Sequence, residues 1–168
     1  MNSFATSSSP AVSAQALDDK RVVKMVLESC QLLNNAIVLI HNDTTVGYKV
    51  THQNHPCTKW LLQDNANYAW LVEHFDHLCH EYQLRYNKTH KCQQYLNLFY
   101  SYCISSPLDV KEFLNCTTNH KHIANVFEAY KAELNLKWDN DVRPATWYQS
   151  LELAPKWRLT PEGTSVLS

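Results

Sequence analysis

The sequence predicts an all-α fold, and three observations lead to this prediction. Only two of its 168 residues are Gly and six are Pro, and such scarcity favours helices over turn-rich β architecture. Apolar residues recur at three- and four-residue steps over most of the chain, which is the period of a helix. The chain is 45% hydrophobic, so it can bury the core of one domain. We expect a compact single domain of four to five helices.

The central element is expected to be a helix near the N-terminus, over about 18–41. This stretch contains neither Gly nor Pro, and it begins with Asp18 and Asp19. Either is a good N-cap, because a short carboxylate accepts hydrogen bonds from the first-turn amides. One face repeats apolar residues at helical spacing and should face the core. Its members are Val22, Met25, Val26, Leu32, Leu33, Ile37 and Ile40.

Further helical segments follow. His55-Pro56 opens a short helix, and three longer periodic stretches come after it. They cover 67–87, 89–104 and 123–138.

The two ends of the chain carry weaker signals. Residues 1–17 form an arm, in which Pro10 suits the first turn of a short helix; the arm is either flexible or docked at a specific place. The predicted organisation is therefore an N-terminal arm (1–17), a helical domain (18–150) and a C-terminal tail (151–168).

Charge and cysteine content limit the class of protein. The formal net charge is −1, whereas a typical DNA-binding domain has a clear basic excess, so any nucleic-acid surface must be a local patch. The six cysteines follow no framework spacing and are expected to be reduced. We see no apolar run of about 20 residues and no signal-peptide layout. We therefore expect a cytoplasmic monomer without a membrane partner.

Histidine and cysteine side chains form two clusters with potential zinc ligands. The first is HxxHxC at His52, His55 and Cys57, and the second contains His74, His77, Cys79 and His80. The chain has no CxxC pair and no HExxH, so we expect capping and packing roles and no metal. A P-loop, GxGxxG and GxSxG are also missing, so we expect no cofactor. A protein that depends on a metal bound by these histidines remains an alternative function.

Two groups of cations lie among aromatic residues. Arg85, Lys88 and Lys91 follow one another near a helix end, and Arg143 precedes Trp147 and Tyr148. Cations at a helix C-terminus also suit its dipole. Arg and Lys beside aromatic rings suit a phosphate backbone and an unstacked base. These six residues are candidate DNA contacts.

A polar row runs along the central helix. Its members are Arg21, Lys24, Glu28 and Gln31. Lys24 and Glu28 have the spacing of an ordinary surface ion pair, which is the simplest interpretation of both residues.

Two separated stretches resemble a known family. The run DKRVVKMVLE at 19–28 is similar to the first helix of the phage pyrimidine-dimer DNA glycosylase (endonuclease V) family, in which an Asp precedes the catalytic Glu by the same interval. The run RPATWY at 143–148 is similar to that family's Arg-Pro-Thr-Trp-Tyr, with Ala145 inserted. THQNHPCTKW and NYAWLVEH also resemble uncharacterised phage and bacterial proteins.

The resemblance implies a glycosylase with AP-lyase activity on double-stranded DNA. In this family a primary amine attacks C1′, expels the damaged base and forms a Schiff base, and β-elimination then cuts the strand. Glu28 would be the catalytic carboxylate, and Arg21 would contact DNA. The nucleophile would be the α-amino group of Met1 or the amine of Lys24, since Asn2 follows Met1 where the family exposes a Thr. A phage-encoded enzyme would act in the host cytoplasm. The alternative is a non-catalytic helical module that binds nucleic acid or protein.

Overall fold

The computed structural model describes residues 2–159, and within them it contains α-helices, two short 3₁₀ helices and no named β-strand. The six α-helices are α1 (Pro10–Gln15), α2 (Asp19–His41), α3 (Pro56–Gln63), α4 (Asn65–Tyr86), α5 (Leu96–Ser101) and α6 (Val126–Asn140). The all-α prediction is confirmed for these residues. The helix count exceeds the expected four to five because α1 and α5, of six residues each, form separate short helices.

The centre of the fold consists of two helices and not of α2 alone. α4 packs against α1, α2, α3 and α5, whereas α2 packs mainly against α3 and α4. Trp70 and Phe75 of α4 and Met25 and Leu33 of α2 are fully buried. The predicted apolar face of α2 therefore meets α4 in the core, with one correction: Ile40 at the end of the helix is 52% exposed.

The start of α2 is not capped by a side chain in the way that the sequence predicted. Asp18 occupies the N-cap position, but its side chain makes no capping hydrogen bond. Its carboxylate instead accepts from Nε1 of Trp138 at 2.8 Å and from Arg21. Asp18 is thus used to join α6 to α2, and the first turn of α2 is not capped by it.

α2 is also long and apolar enough to cross a membrane by length and composition, contrary to the expectation from the sequence. Of its most apolar window, 56% is buried inside the protein. Packing against α4 therefore accounts for the apolar composition of α2.

Two buried asparagines on α2 hold the chain that follows the helix. Nδ2 of Asn34 donates to the carbonyl of Tyr48 at 3.0 Å, and Nδ2 of Asn35 donates to the carbonyl of Thr51 at 2.7 Å. The extended residues 48–51 have no strand partner, so these amides satisfy backbone groups that a sheet would otherwise pair. They also bring the loop back along α2 to the start of α3.

The N-terminal arm is docked, which decides between the two arrangements left open by the sequence. Phe4, Ala5 and Thr6 are buried, and Nε1 of Trp70 donates to the carbonyl of Ser8 at 2.8 Å. α1 continues this contact by packing on α4. The arm is therefore part of the core surface and approaches α6, where the ring of Phe4 packs edge-on against Tyr130.

His74 of α4 is buried under this arm. Its Nδ1 lies 3.1 Å from the carbonyl of Pro10, and its ring stacks on Trp70. A carbonyl only accepts, so Nδ1 carries the proton and Nε2, which has no partner among the described residues, is an unpaired acceptor. Burial, together with nearby His77, lowers the pKa of His74 from 6.5 to about 4.

We expect His74 to make the free energy of unfolding depend on pH. The unfolded chain binds a proton at His74 below pH 6.5 while the folded chain does not until about pH 4, so stability is complete above 6.5 and falls as pH decreases. The unfolding free energy should be about 2 kcal/mol lower at pH 5 than at pH 7.5 from this group. Urea titrations of wild type and His74→Asn, which keeps a donor for Pro10, measure it. An equal pH dependence in both proteins would contradict the assignment.

Candidate functional site

Glu28 lies on the part of α2 that meets the loop before α3. Its side chain is 19% exposed, and Oε1 is 3.5 Å from Nζ of Lys24, whose side chain is 69% exposed. The pair has the expected i,i+4 spacing, but its partners differ in environment. Glu28 is half-buried and Lys24 extends into solvent, so their ion pair contributes little to stability.

His55 and Cys57 lie at the start of α3, within range of the Glu28 charge, which acts on the pKa of both. Nδ1 of His55 accepts from the backbone N–H of Cys57 at 3.1 Å and so caps α3. Burial lowers the pKa of His55, and neighbouring His52 adds to this effect. A neutral imidazole that accepts at Nδ1 carries its proton on Nε2. His55 can therefore donate a hydrogen bond from Nε2.

A second segment, residues 115–123 just before α6, contacts the start of α3. Sγ of Cys116 is 3.1 Å from Sγ of Cys57, and the backbone N–H of Cys116 donates to the hydroxyl of Tyr130 at 3.1 Å. That hydroxyl donates to the carbonyl of Leu114 at 2.8 Å, and the ring of Phe4 in the arm packs edge-on against Tyr130. The arm therefore arrives next to Cys116, close to the residues around Glu28. Met1, the candidate amine, lies outside the described residues.

This arrangement combines four kinds of group at one edge of the core: a carboxylate, an imidazole, two thiols and the start of the docked arm. The carboxylate is half-buried, which strengthens its interaction with a nearby positive charge. It can stabilise a developing cation, and the imidazole can donate a hydrogen bond from Nε2. The HxxHxC motif predicted either a cap or a metal cluster, and the capping role is confirmed for His55. The sequence carried no signal for the electrostatic effect of Glu28 on His55.

Three of the candidate DNA contacts lie inside the protein. Arg21 pairs with Asp18 and, at 2.7 Å, with Asp141. The side chain of Arg85 is 1% exposed and binds protein carbonyls and carboxylates. Trp147 is 1% exposed and Nε1 donates to the carbonyl of Ala16. These side chains have structural partners, and we assign them no contact with DNA.

The carboxylate of Asp19 binds the RPATWY segment. The sequence predicted only a capping role for this residue. Oδ1 accepts from the N–H of Tyr148 at 2.8 Å and from Arg85 at 3.2 Å. Oδ2 accepts from Thr146 Oγ1 and from the N–H of Gln149, both at 2.8 Å. Tyr148 and Gln149 have φ of 53° and 61°, a left-handed pair that turns both N–H groups toward one anion. The two stretches of the family resemblance thus bind each other.

The other candidates reach the surface. Lys88, Lys91 and Arg143 are exposed, and the ring of Tyr148 is 39% exposed. The Tyr148 hydroxyl donates to Glu81 at 2.6 Å and its ring stacks on Arg85. Arg143 lines a cleft of about 610 Å³ together with Lys20 and Tyr86. Asp18, Asp19 and Asp141 also line this cleft, and Nζ of Lys20 lies 3.5 Å from Asp141. Lys20 and Lys24 lie one turn apart on the exposed side of α2.

Metal-binding geometry does not occur in residues 2–159, where no group of three or more His, Cys, Asp or Glu side chains is placed to hold an ion. His74 binds the carbonyl of Pro10, and His55 caps α3. Both histidines therefore have the hydrogen-bonding roles that the simpler interpretation predicted.

Comparison with known proteins gives one match. The family model described as pyrimidine dimer DNA glycosylase matches residues 1–94, more than half of the 168 residues. This region contains the docked arm, α2 with Glu28, α3 and α4. No curated protein and no solved structure matches the chain significantly.

Proposed function

The chain belongs to the pyrimidine dimer DNA glycosylase family, and from this we propose that it removes a damaged pyrimidine from double-stranded DNA with Glu28 as the catalytic carboxylate. The observation that carries the proposal is the half-buried position of Glu28 on α2, within electrostatic range of His55 and Cys57 at the start of α3. A carboxylate serving only as a surface partner of Lys24 would need none of these neighbours.

The chemistry assigned to Glu28 follows from its charge. As the bond from C1′ to the base breaks, its electron pair leaves with the base and positive charge develops on the sugar. A negative carboxylate at the edge of the core stabilises that charge, and it does so more strongly than a fully solvated one. After the amine bonds to C1′, the ring oxygen leaves as a hydroxyl and an imine remains. Removal of a C2′ proton then expels the 3′ phosphate.

The nucleophile in this proposal is the α-amino group of Met1. What supports it is the course of the arm, since the ring of Phe4 packs on Tyr130, whose hydroxyl accepts from the backbone N–H of Cys116. An α-amino group has a pKa of about 8, so part of it is neutral at pH 7. Lys24 is the alternative amine, but its side chain is 69% exposed and lacks the apolar surroundings that a lysine nucleophile needs.

DNA is proposed to lie along the exposed side of α2. Lys20 and Lys24 would contact phosphates there, and Arg143 would contact a phosphate at the cleft beyond Lys20. The net charge of −1 is compatible with this surface because only a few local cations are needed to position a duplex. Lys88 and Lys91 remain candidate contacts at the end of α4.

Borohydride trapping on an abasic duplex tests the proposal. Reduction of the Schiff base should link the DNA covalently to the protein, and proteolysis should place the link on the N-terminal peptide. One extra residue before Met1 displaces the amine and should abolish the product, whereas Lys24→Arg keeps the charge of Lys24 and should leave it unchanged. A link at Lys24 would reassign the nucleophile. No link in wild type, with DNA binding retained, would favour the non-catalytic binding module.

A further inference from the structure

The site beside Glu28 contains a pair of thiols that the glycosylase chemistry does not use. Cys57 lies in the first turn of α3 and Cys116 in the segment before α6, 59 residues apart, with their sulfur atoms 3.1 Å from each other. We propose that Cys57 and Cys116 form an oxidisable pair that a peroxide converts into a disulfide, a modification site next to the candidate catalytic carboxylate. This chemistry does not depend on the glycosylase proposal.

The two thiols differ in a way that assigns their roles. Cys57 is 5% exposed and its thiol donates to Sγ of Cys116. Cys116 is half-buried, so a small oxidant can reach it. The hydrogen bond from Cys57 lowers the pKa of Cys116, and the charge of Lys121 lowers it further. A thiolate is the reactive form, so Cys116 is the attacking residue and Cys57 the resolving one.

The reaction balances with one peroxide. The Cys116 thiolate attacks one oxygen, the O–O bond breaks, and the other oxygen leaves as water after taking a proton, which gives a sulfenic acid. The Cys57 sulfur then attacks the Cys116 sulfur, loses its proton, and displaces the hydroxyl as a second water. The two thiols are oxidised by two electrons, and the peroxide is reduced.

The surroundings keep the pair in position for this reaction. Tyr130 holds the backbone of Cys116 from one side, and the side chain of Asn115 donates to the carbonyls of His120 and Ile123. Glu133 accepts from Asn119 and His120 and fixes the same segment on α6. Cys57 is fixed by the first turn of α3. Both sulfurs therefore belong to ordered elements, and the bond needs little rearrangement.

Other cysteines of the chain provide internal references. Cys103 is half-buried like Cys116, but burial raises its pKa to about 11, and its thiol donates to the carbonyl of Phe99 instead of to another thiol. Cys30 and Cys92 interact with each other, but they are 0% and 2% exposed. Cys57 and Cys116 combine a neighbouring thiol with access for an oxidant at Cys116, so this pair should react first.

The test uses the full-length reduced protein and graded hydrogen peroxide, followed by digestion with trypsin without reductant. The expected product joins peptide 50–59 to peptide 112–121 with loss of two hydrogens, forms at a peroxide dose at least about 10-fold below that which oxidises Cys103, and is reversed by dithiothreitol. The cross-link closes a long loop, so oxidised protein should melt about 5–10 °C higher.

Variants separate the two roles. Cys57→Ser should stop the reaction at a Cys116 sulfenic acid, which dimedone traps, and Cys116→Ser should abolish both products. Cys79→Ser, at a buried cysteine outside the pair, should leave the cross-link intact. Oxidation of Cys103 before any Cys57–Cys116 link, or a Cys30–Cys92 link formed first, would overturn the proposal; the wild-type digest alone decides this.

Discussion

Replacing Glu28 with Gln is expected to lower the single-turnover rate of cleavage of a dimer-containing duplex by about 100-fold or more, with DNA affinity largely kept. The replacement retains the shape of the side chain and removes its charge. The lost interaction is one made with positive charge on the sugar, which exists in the transition state and not in bound substrate. The measurement is single-turnover cleavage of dimer-containing and abasic duplexes, with folding checked by thermal melting.

Two control variants separate catalysis from binding and from the ion pair. Lys24→Gln breaks the 3.5 Å pair with Glu28 and, as an exposed pair, should change stability by less than about 1 kcal/mol. Arg143→Ala should weaken DNA binding and reduce its salt dependence by roughly one counterion, without changing the single-turnover rate at saturation. Equal cleavage by wild type and Glu28→Gln would remove Glu28 from the mechanism. Unchanged affinity and salt dependence in Arg143→Ala would remove the cleft from the DNA surface.

The parts of the fold that the sequence predicted are those with local signals. Periodic apolar residues and the lack of Gly and Pro predicted a helix over about 18–41, which the structure has at Asp19–His41. The same period predicted a helix over 67–87, which the structure has at Asn65–Tyr86. Helix ends and faces depend on neighbours within a few residues. The helix predicted over 89–104 is shorter in the structure, where α5 covers only Leu96–Ser101. The preceding residues, Lys91–Tyr95, form a 3₁₀ helix, which breaks the 3.6-residue period.

The candidate site could be predicted only in part, because its members are distant in sequence. The resemblance of 19–28 to the glycosylase family singled out Glu28, whose side chain is half-buried on α2. No pattern links it to Cys116 or Tyr130, which arrive from the far side of α3 and from α6. A cation-and-aromatic motif is also ambiguous: Arg85 beside Tyr148 has the composition of a DNA contact, and only the buried carboxylates of Asp19 and Glu81 make it internal.

We expect Asp19→Asn to destabilise the protein by about 3 kcal/mol or more, although the two side chains have the same shape. The carboxylate accepts from Thr146, Tyr148, Gln149 and Arg85. An amide nitrogen on one side would face donors in place of an acceptor, and buried Arg85 would lose one of its two carboxylate partners. Leaving buried donors unpaired and a buried charge with one carboxylate fewer is costly. The left-handed backbone at Tyr148 and Gln149 would also lose the anion that favours it.

Asp64→Asn is the matched control for this loss. Asp64 also lies at the start of a helix and its carboxylate accepts from the backbone N–H of Ala66, but Asn caps helices as well as Asp does, so its cost should stay below about 0.5 kcal/mol. Urea unfolding followed by tryptophan fluorescence reports on both variants, because Trp147 is buried next to Trp138 in the segment that Asp19 holds. If Asp19→Asn costs no more than Asp64→Asn, the carboxylate does not secure the RPATWY segment. Its conformation must then depend on the burial of Trp147 alone.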